Sequence, residues 1–336
     1  MVSSMWAPAN LVTLVHWFLL LLDSTCRATW WRFSHPGDAE AFFSKRDSLP
    51  KSWQSDKDTP PPVVIVTGAG SGIGYATAAR LTEMGLSVVV VCGTVEEAEQ
   101  TCDLIREKTK KAKSKRSELI PRGADLRKGK EVVKLVAGLG DLEVRCVVHC
   151  AGVFGVSCEK FADVIGVNAA APFLLTELLV ERRRGQKNKN NKKYAPPLRL
   201  VFVGSFTHRG VTVSQVMRVW ESLLTDCGKG GKDLRDKGNK DISDKNKAAR
   251  LTPAEVYAFS KLAVTSFAYV FSTRYESVSI GDESLSHNSS RSESRKETEE
   301  EHEHVTCAVA DPGLVDTKIN RGWPFTLRVS YVFVAR

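Results

Sequence analysis

The run Val63-Val64-Ile65-Val66-Thr67-Gly68-Ala69-Gly70-Ser71-Gly72-Ile73-Gly74 constrains this chain more than any other. An all-apolar strand runs into glycines spaced Gly-x-x-x-Gly-x-Gly and then into a helical pattern, Tyr75 to Met84. Such a turn lets the backbone approach a pyrophosphate. One glycine permits the tight turn, another removes the Cβ that would strike the ligand, and the last lets helix pack on strand. The N–H groups at the helix start, backed by the helix dipole, attract phosphate. Gly68, Ser71, Gly72, Ile73 and Gly74 are therefore candidate dinucleotide contacts.

The bulk composition fits one globular domain with added non-core sequence: 336 residues, 42% apolar. The formal charge of +9 resembles a nucleic-acid signal, but its location argues otherwise. Much of it sits in Lys108 to Arg116, Arg182 to Lys193 and Lys229 to Arg250, among Asn, Gly, Asp and Ser rather than aromatic residues. These runs read as solvated loops, and no nucleic-acid partner is expected. The cysteines at 26, 92, 102, 146, 150, 158, 227 and 307 form no Cys-x-x-Cys pair, so neither a zinc ribbon nor a disulfide scaffold is implied. Glu299 to His304 has ligand residue types without ligand spacing, and no metal site is expected.

Leu11 to Leu22 is strongly apolar but interrupted by His16, and it stops at Asp23. A full membrane span needs about 20 residues, so this stretch suits a short retained anchor, a cleaved targeting segment or a docking helix. Arg27, Arg32 and Lys45 follow it, and positive charge on that side favours a main domain facing the cytosol. The expectation is a hydrophobic anchor or targeting segment over 1–25, with a retained anchor favoured, a linker over 26–62 and one main domain over 63–336.

Within that domain strands and helices alternate. Val63–Thr67, Ser87–Cys92, Leu119–Ala124, Arg145–Cys150, Leu198–Gly204 and Val305–Ala310 read as strands. Ile73–Met84, Val95–Lys108, Lys128–Ala137, Lys160–Arg184 and Thr252–Tyr275 read as helices. The strands are continuous apolar runs, as in strands buried on both faces, so the pattern predicts an α/β doubly wound parallel sheet. The polar stretches 185–197, 226–250 and 279–304 lack the apolar content to offset their ordering entropy and read as disordered insertions.

Four further features follow the glycine turn in order. Asp125 ends the third strand, where an adenine ring would lie. Ser205 follows the fifth strand. Tyr257 and Lys261 stand one helical turn apart on one face. Pro312, Gly313 and Thr317 follow the last strand, and carboxyl ends of parallel strands are where open α/β sheets bind ligands. Moving hydride onto a carbonyl requires a proton donor, and a tyrosine at its usual pKa of ~10 is a poor one at neutral pH. An ammonium one turn away favours tyrosinate and lowers that value, while Ser205 holds the substrate oxygen.

On these residues, with Ala151-Gly152, Val167-Asn168, the Gly204-to-His208 stretch and Pro312-Gly313, the chain resembles the short-chain dehydrogenase/reductase family. Within it, Ser205 followed three residues later by His208 resembles the retinol dehydrogenase-like, membrane-anchored branch. The resemblance covers about residues 63 to 320, apart from the insertions. It implies a Rossmann fold with Asn168, Ser205, Tyr257 and Lys261 as catalytic residues. It also implies cofactor contacts from Ala151, Gly152, Tyr257, Lys261, Pro312, Gly313 and Thr317. The implied function is an NAD(P)-dependent oxidoreductase interconverting an alcohol and a ketone or aldehyde on a lipophilic small molecule. Membrane association at the endoplasmic reticulum is implied, and a homodimer through the two long helices is left open.

Three places depart from the family pattern. His149-Cys150 replaces a paired-asparagine signature, with His149 read as a substituted structural residue. Val91-Cys92-Gly93-Thr94 offers neither the acid of NAD-specific members nor the arginine of NADP-preferring ones, and the missing acid favours NADP over NAD. After Thr317 only about twenty residues remain, so the expectation includes an incomplete C-terminus. These departures favour a rival reading, a nucleotide-binding scaffold or redox sensor of weak catalytic power.

Overall fold

The computed structural model describes Trp53 and residues 62–109, 117–154, 161–190, 197–228, 252–276 and 305–312. The expected anchor, the linker up to residue 61 apart from Trp53, the insertion residues 191–196, 229–250 and 279–304, and Gly313 and Thr317 lie outside the described residues. Within them the elements are β1 (Val63–Thr67), α1 (Gly72–Glu83), β2 (Ser87–Cys92), α2 (Val95–Thr109), β3 (Leu119–Gly123), α3 (Gly129–Ala137) and β4 (Val144–His149). There follow α4 (Phe161–Ile165), a π turn (Gly166–Ala170), α5 (Ala171–Asn190), β5 (Leu198–Val203), a 3-10 turn (Phe206–Gly210), α6 (Val213–Gly228), α7 (Pro253–Glu276) and β6 (Val305–Ala310).

The six strands form one sheet in the order β3-β2-β1-β4-β5-β6, all parallel. This is the doubly wound Rossmann arrangement that the apolar strand runs predict. Every residue of β1 and β2 is buried, and alternate side chains feed two separate cores. Val63, Ile65, Val89, Val91 and Val147 join the core beneath α3, α5 and α7. Val64, Val66, Val88, Val90, Cys146 and Val148 join the core beneath α1 and α2. Each fully buried Val or Ile contributes about 1.5–3 kcal/mol, so a polar substitution in either row costs much of a domain's net stability.

Register levels the strand ends that matter. Thr67 pairs with both Val91 and His149, and His149 pairs with Phe202. The glycine turn, Gly93, the Cys150–Gly152 stretch and Ser205 therefore leave the sheet along one edge of carboxyl ends. α1 sits close to the sheet because the residues it buries are small: Gly74, Ala78, Ala79 and Thr82.

Several boundaries differ from the sequence reading. α5 continues to Asn190, so the expected insertion from 185 begins inside a helix, and α6 likewise carries the start of the 226–250 segment. α6 itself is unforeseen. The long helix read over Lys160–Arg184 is broken by the π turn around Asn168. Phe161–Gln186 has the length and apolarity of a membrane span, but Leu175 and Leu179 on it are buried in the sheet core.

Candidate active site

The glycine turn is shaped by contacts that no side chain would allow. Gly68 takes φ of 65°, and a Cβ there would lie 2.6 Å from Ala151 Cα. A Cβ on Gly74 would lie 2.2 Å from the Gly68 carbonyl oxygen. The start of α1 thus rests on the turn, and the turn rests on the chain leaving β4. Thr67 Oγ1 accepts from Ala151 N at 3.2 Å and fixes the same junction. Ser71 stands at the N-cap position of α1 without a side-chain capping bond. The first N–H groups of α1 therefore lack a side-chain acceptor from Ser71, as a cradle for phosphate requires.

The junction leads directly to the candidate proton-relay residues. A Cβ on Gly152 would sit 3.6 Å from Asn168 Oδ1 and 3.6 Å from Lys261 Nζ. Asn168 is 1% exposed. Its Oδ1 accepts from Val153 N at 2.8 Å, and its Nδ2 donates to Val153 O and to Ser260 Oγ, both at 3.0 Å. Ser260 Oγ in turn donates to the Tyr257 carbonyl at 2.7 Å. The π turn is the local consequence: one extra residue in the helical turn brings Asn168 against the loop after β4. Such turns recur at functional sites.

α7 carries Tyr257 and Lys261. Its start is a capping box: Thr252 Oγ1 accepts from Glu255 N, and the Glu255 carboxylate accepts from Thr252 N at 2.8 Å, with Pro253 at the first helical position. The other Glu255 oxygen accepts from Arg218 at 2.8 Å and Gln215 at 3.2 Å, binding α6 to the start of α7. Lys261 is 4% exposed, and its Nζ donates to the Val203 carbonyl at 2.8 Å. That nitrogen lies 5.7 Å from the Tyr257 ring centroid. Burial pulls the Lys261 pKa down to about 8. Phe154 packs against the Tyr257 ring, with centroids 5.1 Å apart.

Ser205 caps the 3-10 turn after β5. Its Oγ accepts from Thr207 N at 3.4 Å and Thr207 Oγ1 at 3.0 Å, and the His208 ring bonds its carbonyl. Gly204 N donates to Ala310 O at 2.8 Å, which brings the end of β6 and the exposed Pro312 beside the same turn. Asp125 behaves differently from a free ligand contact. Its carboxylate is held by Arg127 (2.8 Å) and Lys128 (3.1 Å), and the Arg127 bond keeps its pKa well below the usual range.

His149 is a structural residue. Its ring stacks on Phe202 at 4.7 Å, and Nε2 lies 3.2 Å from Thr176 Oγ1, tying β4 to α5. Nδ1 is buried without a partner, and desolvation pulls the pKa down to about 3. Cys150 neighbours Lys261, and burial pushes its thiol up to about 11. Sequence reasoning missed Glu97, whose carboxylate bends back between Gly93 and Gly70. The signal was present as Thr94-x-x-Glu97, a capping-box spacing at the start of α2.

Residues 62–189 match the family model described as short chain dehydrogenase. Human retinol dehydrogenase 12 is 33% identical over 155 residues, covering 44% of this chain and 45% of that protein. Human polyprenol dehydrogenase is 25% identical over 264 residues, covering 77% of this chain and 62% of that protein. The chain spans about half the length of the retinol dehydrogenases it matches. Among solved structures, the NADP complex of Pseudomonas aeruginosa RhlG aligns with a TM-score of 0.48 at 17% identity, over 78% of this chain and 75% of that one. A Burkholderia phymatum short chain dehydrogenase/reductase in complex with NAD gives a TM-score of 0.48 at 18% identity, over 80% and 72%.

Proposed function

We propose that this chain, which belongs to the short-chain dehydrogenase/reductase family in its retinol dehydrogenase-like branch, binds a nicotinamide dinucleotide and interconverts an alcohol and a carbonyl. One observation carries the reading. A Cβ on Gly68 would strike Ala151, and one on the next residue, Gly152, would lie 3.6 Å from both Asn168 Oδ1 and Lys261 Nζ, so cradle and proton relay are contiguous. The cradle residues fit a dinucleotide: a glycine turn, the N-terminus of α1 and the carboxyl ends of β1, β2 and β4. Ser71, Gly72, Ile73 and Gly74 would hold its phosphates, Asp125 would serve the adenine and Pro312 the other end, with Gly313 and Thr317, outside the described residues, proposed from the sequence.

The bound cofactor supplies the hydride. Tyr257 gives its hydroxyl proton to the substrate oxygen as that oxygen gains charge, and Ser205 donates a hydrogen bond to the same atom. The Lys261 ammonium stabilises the tyrosinate left behind. Asn168 positions this set through Val153, Ser260 and so the turn of α7 that bears Tyr257. Alcohol oxidation runs the same steps backward.

The substrate is a lipophilic small molecule, a reading supported by Phe154 beside Tyr257. The apolar Leu11–Leu22 stretch supports membrane attachment, at the endoplasmic reticulum with the domain facing the cytosol. Phe173, Tyr269 and Val270, exposed on α5 and α7, support a homodimer through those helices. The NADP preference drawn from an empty strand end loses its premise, because Glu97 brings a carboxylate to that place.

The test is turnover of the full chain in detergent against a panel of retinoid, steroid and fatty aldehydes and ketones, with Tyr257→Phe as control. Reduction of at least one compound, lost by at least 100-fold in Tyr257→Phe, supports the reading. Dinucleotide binding with no turnover on any compound favours the scaffold instead.

A further inference from the structure

Ser205 leaves the carboxyl end of β5 with an extended backbone, φ −165°, and starts the 3-10 turn Phe206–Gly210. Its hydroxyl oxygen is engaged twice. It accepts from Thr207 N at 3.4 Å, the ordinary bond of a residue that caps a turn, and from Thr207 Oγ1 at 3.0 Å. Its carbonyl is engaged as well, by His208 N at 3.2 Å and by the His208 ring. Capping needs only the main-chain bond, so the Thr207 hydroxyl adds something that the turn itself does not require.

A serine hydroxyl has two lone pairs and one proton. With Thr207 donating to both lone pairs, the capacity left to Ser205 Oγ is to donate. No described residue accepts that proton. The turn that carries it packs on α7, the helix of Tyr257 and Lys261, and Lys261 Nζ is bonded to Val203 O just upstream. The hydroxyl is thus a donor fixed in the part of the fold that carries the proposed proton relay.

We propose that Thr207 is a positioning residue for hydride transfer: its main-chain N–H and its hydroxyl fill both lone pairs of Ser205 Oγ, so that the Ser205 proton is turned toward the substrate oxygen before charge builds there. The proposal rests on the dehydrogenase reading above, in which Ser205 donates to that oxygen. A preorganised donor stabilises developing charge without reorganising during the step. Without the Thr207 hydroxyl, one lone pair of Ser205 opens and its O–H rotates among staggered wells, most of which aim the proton elsewhere. That loss falls on the transition state, so it lowers kcat rather than raising KM.

The test is steady-state reduction by the full chain in detergent, on an aldehyde or ketone of the panel that wild type turns over, with a double-mutant cycle on Ser205 and Thr207. Thr207→Val lowers kcat at least about tenfold, short of the ~10²–10³ that loss of a whole donor costs, with KM within about threefold of wild type. Thr207→Ser keeps the hydroxyl and holds kcat within about threefold of wild type. In the Ser205→Ala background Thr207→Val lowers kcat by less than about twofold, because no hydroxyl is left to orient. Thr207→Ala makes the same comparison if the valine variant does not fold. A Thr207→Val protein with wild-type kcat, or an equal loss with and without Ser205, overturns the assignment while leaving the dehydrogenase reading intact. A folded wild type that reduces no compound of the panel overturns that reading, and the assignment with it.

Discussion

Lys261 Nζ donates to the main-chain carbonyl of Val203 at 2.8 Å, pinning the helix of Tyr257 to the last residue of β5, two positions before Ser205. The contact gives three candidate catalytic side chains one mechanical reference. It also leaves a lysine in a site where ionisation is costly, and burial lowers its pKa from 10.5 to about 8.

The sign of the resulting pH effect is fixed. Below about pH 8 Lys261 is charged in both folded and unfolded chains, and the desolvation penalty is fully present. Between about 8 and 10.5 the unfolded chain holds more protons, so folding stability rises with pH. The total over that window is on the order of 3 kcal/mol. Urea denaturation of wild type and Lys261→Met at pH 7 and pH 10 reads it as a difference. The gap between the two proteins shifts in favour of wild type at the higher pH, and parallel curves would contradict the assignment.

His149 gives the opposite window. Its folded pKa of about 3 lies below the ordinary 6.5, so the unfolded chain alone takes up a proton between those values. Stability then falls as pH drops through the window, by up to about 1.4 kcal/mol per unit. His149→Gln removes this dependence, and its acid-unfolding midpoint lies lower than that of wild type. Circular dichroism across pH 3 to 7 measures it.

The glycine turn separates steric cost from conformational cost. Gly74→Ala drives a Cβ into the Gly68 carbonyl, where only backbone can yield, and costs at least about 3 kcal/mol together with dinucleotide binding. Gly140, by contrast, has a φ of 55°, but a Cβ added there would meet nothing within 4 Å, so Gly140→Ala costs only about 1 kcal/mol. Thermal denaturation of the two variants makes the comparison.

Glu255 joins α6 to the helix of Tyr257, through Thr252 on one side and Arg218 and Gln215 on the other. Glu255→Ala removes the capping box and both cross-helix bonds, costing about 1–2 kcal/mol. Because Glu255 holds α6 against the helix that bears Tyr257 without itself touching the proposed relay, KM rises more than kcat falls. Steady-state kinetics on a substrate from the panel separates the two parameters.

The strands were legible because a strand buried on both faces draws apolar residues to both, and β1 and β2 are buried at every position and apolar except at their ends, Thr67 and Ser87. The glycine turn and the Tyr257–Lys261 spacing were legible for a similar reason: few other residues satisfy that geometry. The π turn at Gly166–Ala170 was not, since nothing local marks it. It follows from bonds between Asn168 and two distant partners, Val153 and Ser260. Glu97 was hidden because an acid in a first helical turn is ordinary, and only its fold-back onto Gly93 distinguishes it from Glu96. α6 escaped notice because Val213, Met217 and Trp220 lie exposed, which blurs the face that Val219 buries.

The most direct test of hydride transfer at this site follows the hydride itself. The full chain is incubated in detergent with NADH deuterated at C4 and a panel of lipophilic aldehydes and ketones, and the products are read by mass spectrometry. One deuterium is expected on the carbinol carbon of at least one product. That transfer falls at least 100-fold in Tyr257→Phe, while NADH binding by calorimetry stays within about threefold of wild type. Tight NADH binding with no deuterated product, or full transfer by Tyr257→Phe, would contradict the assignment of Tyr257 as proton donor in a working dehydrogenase.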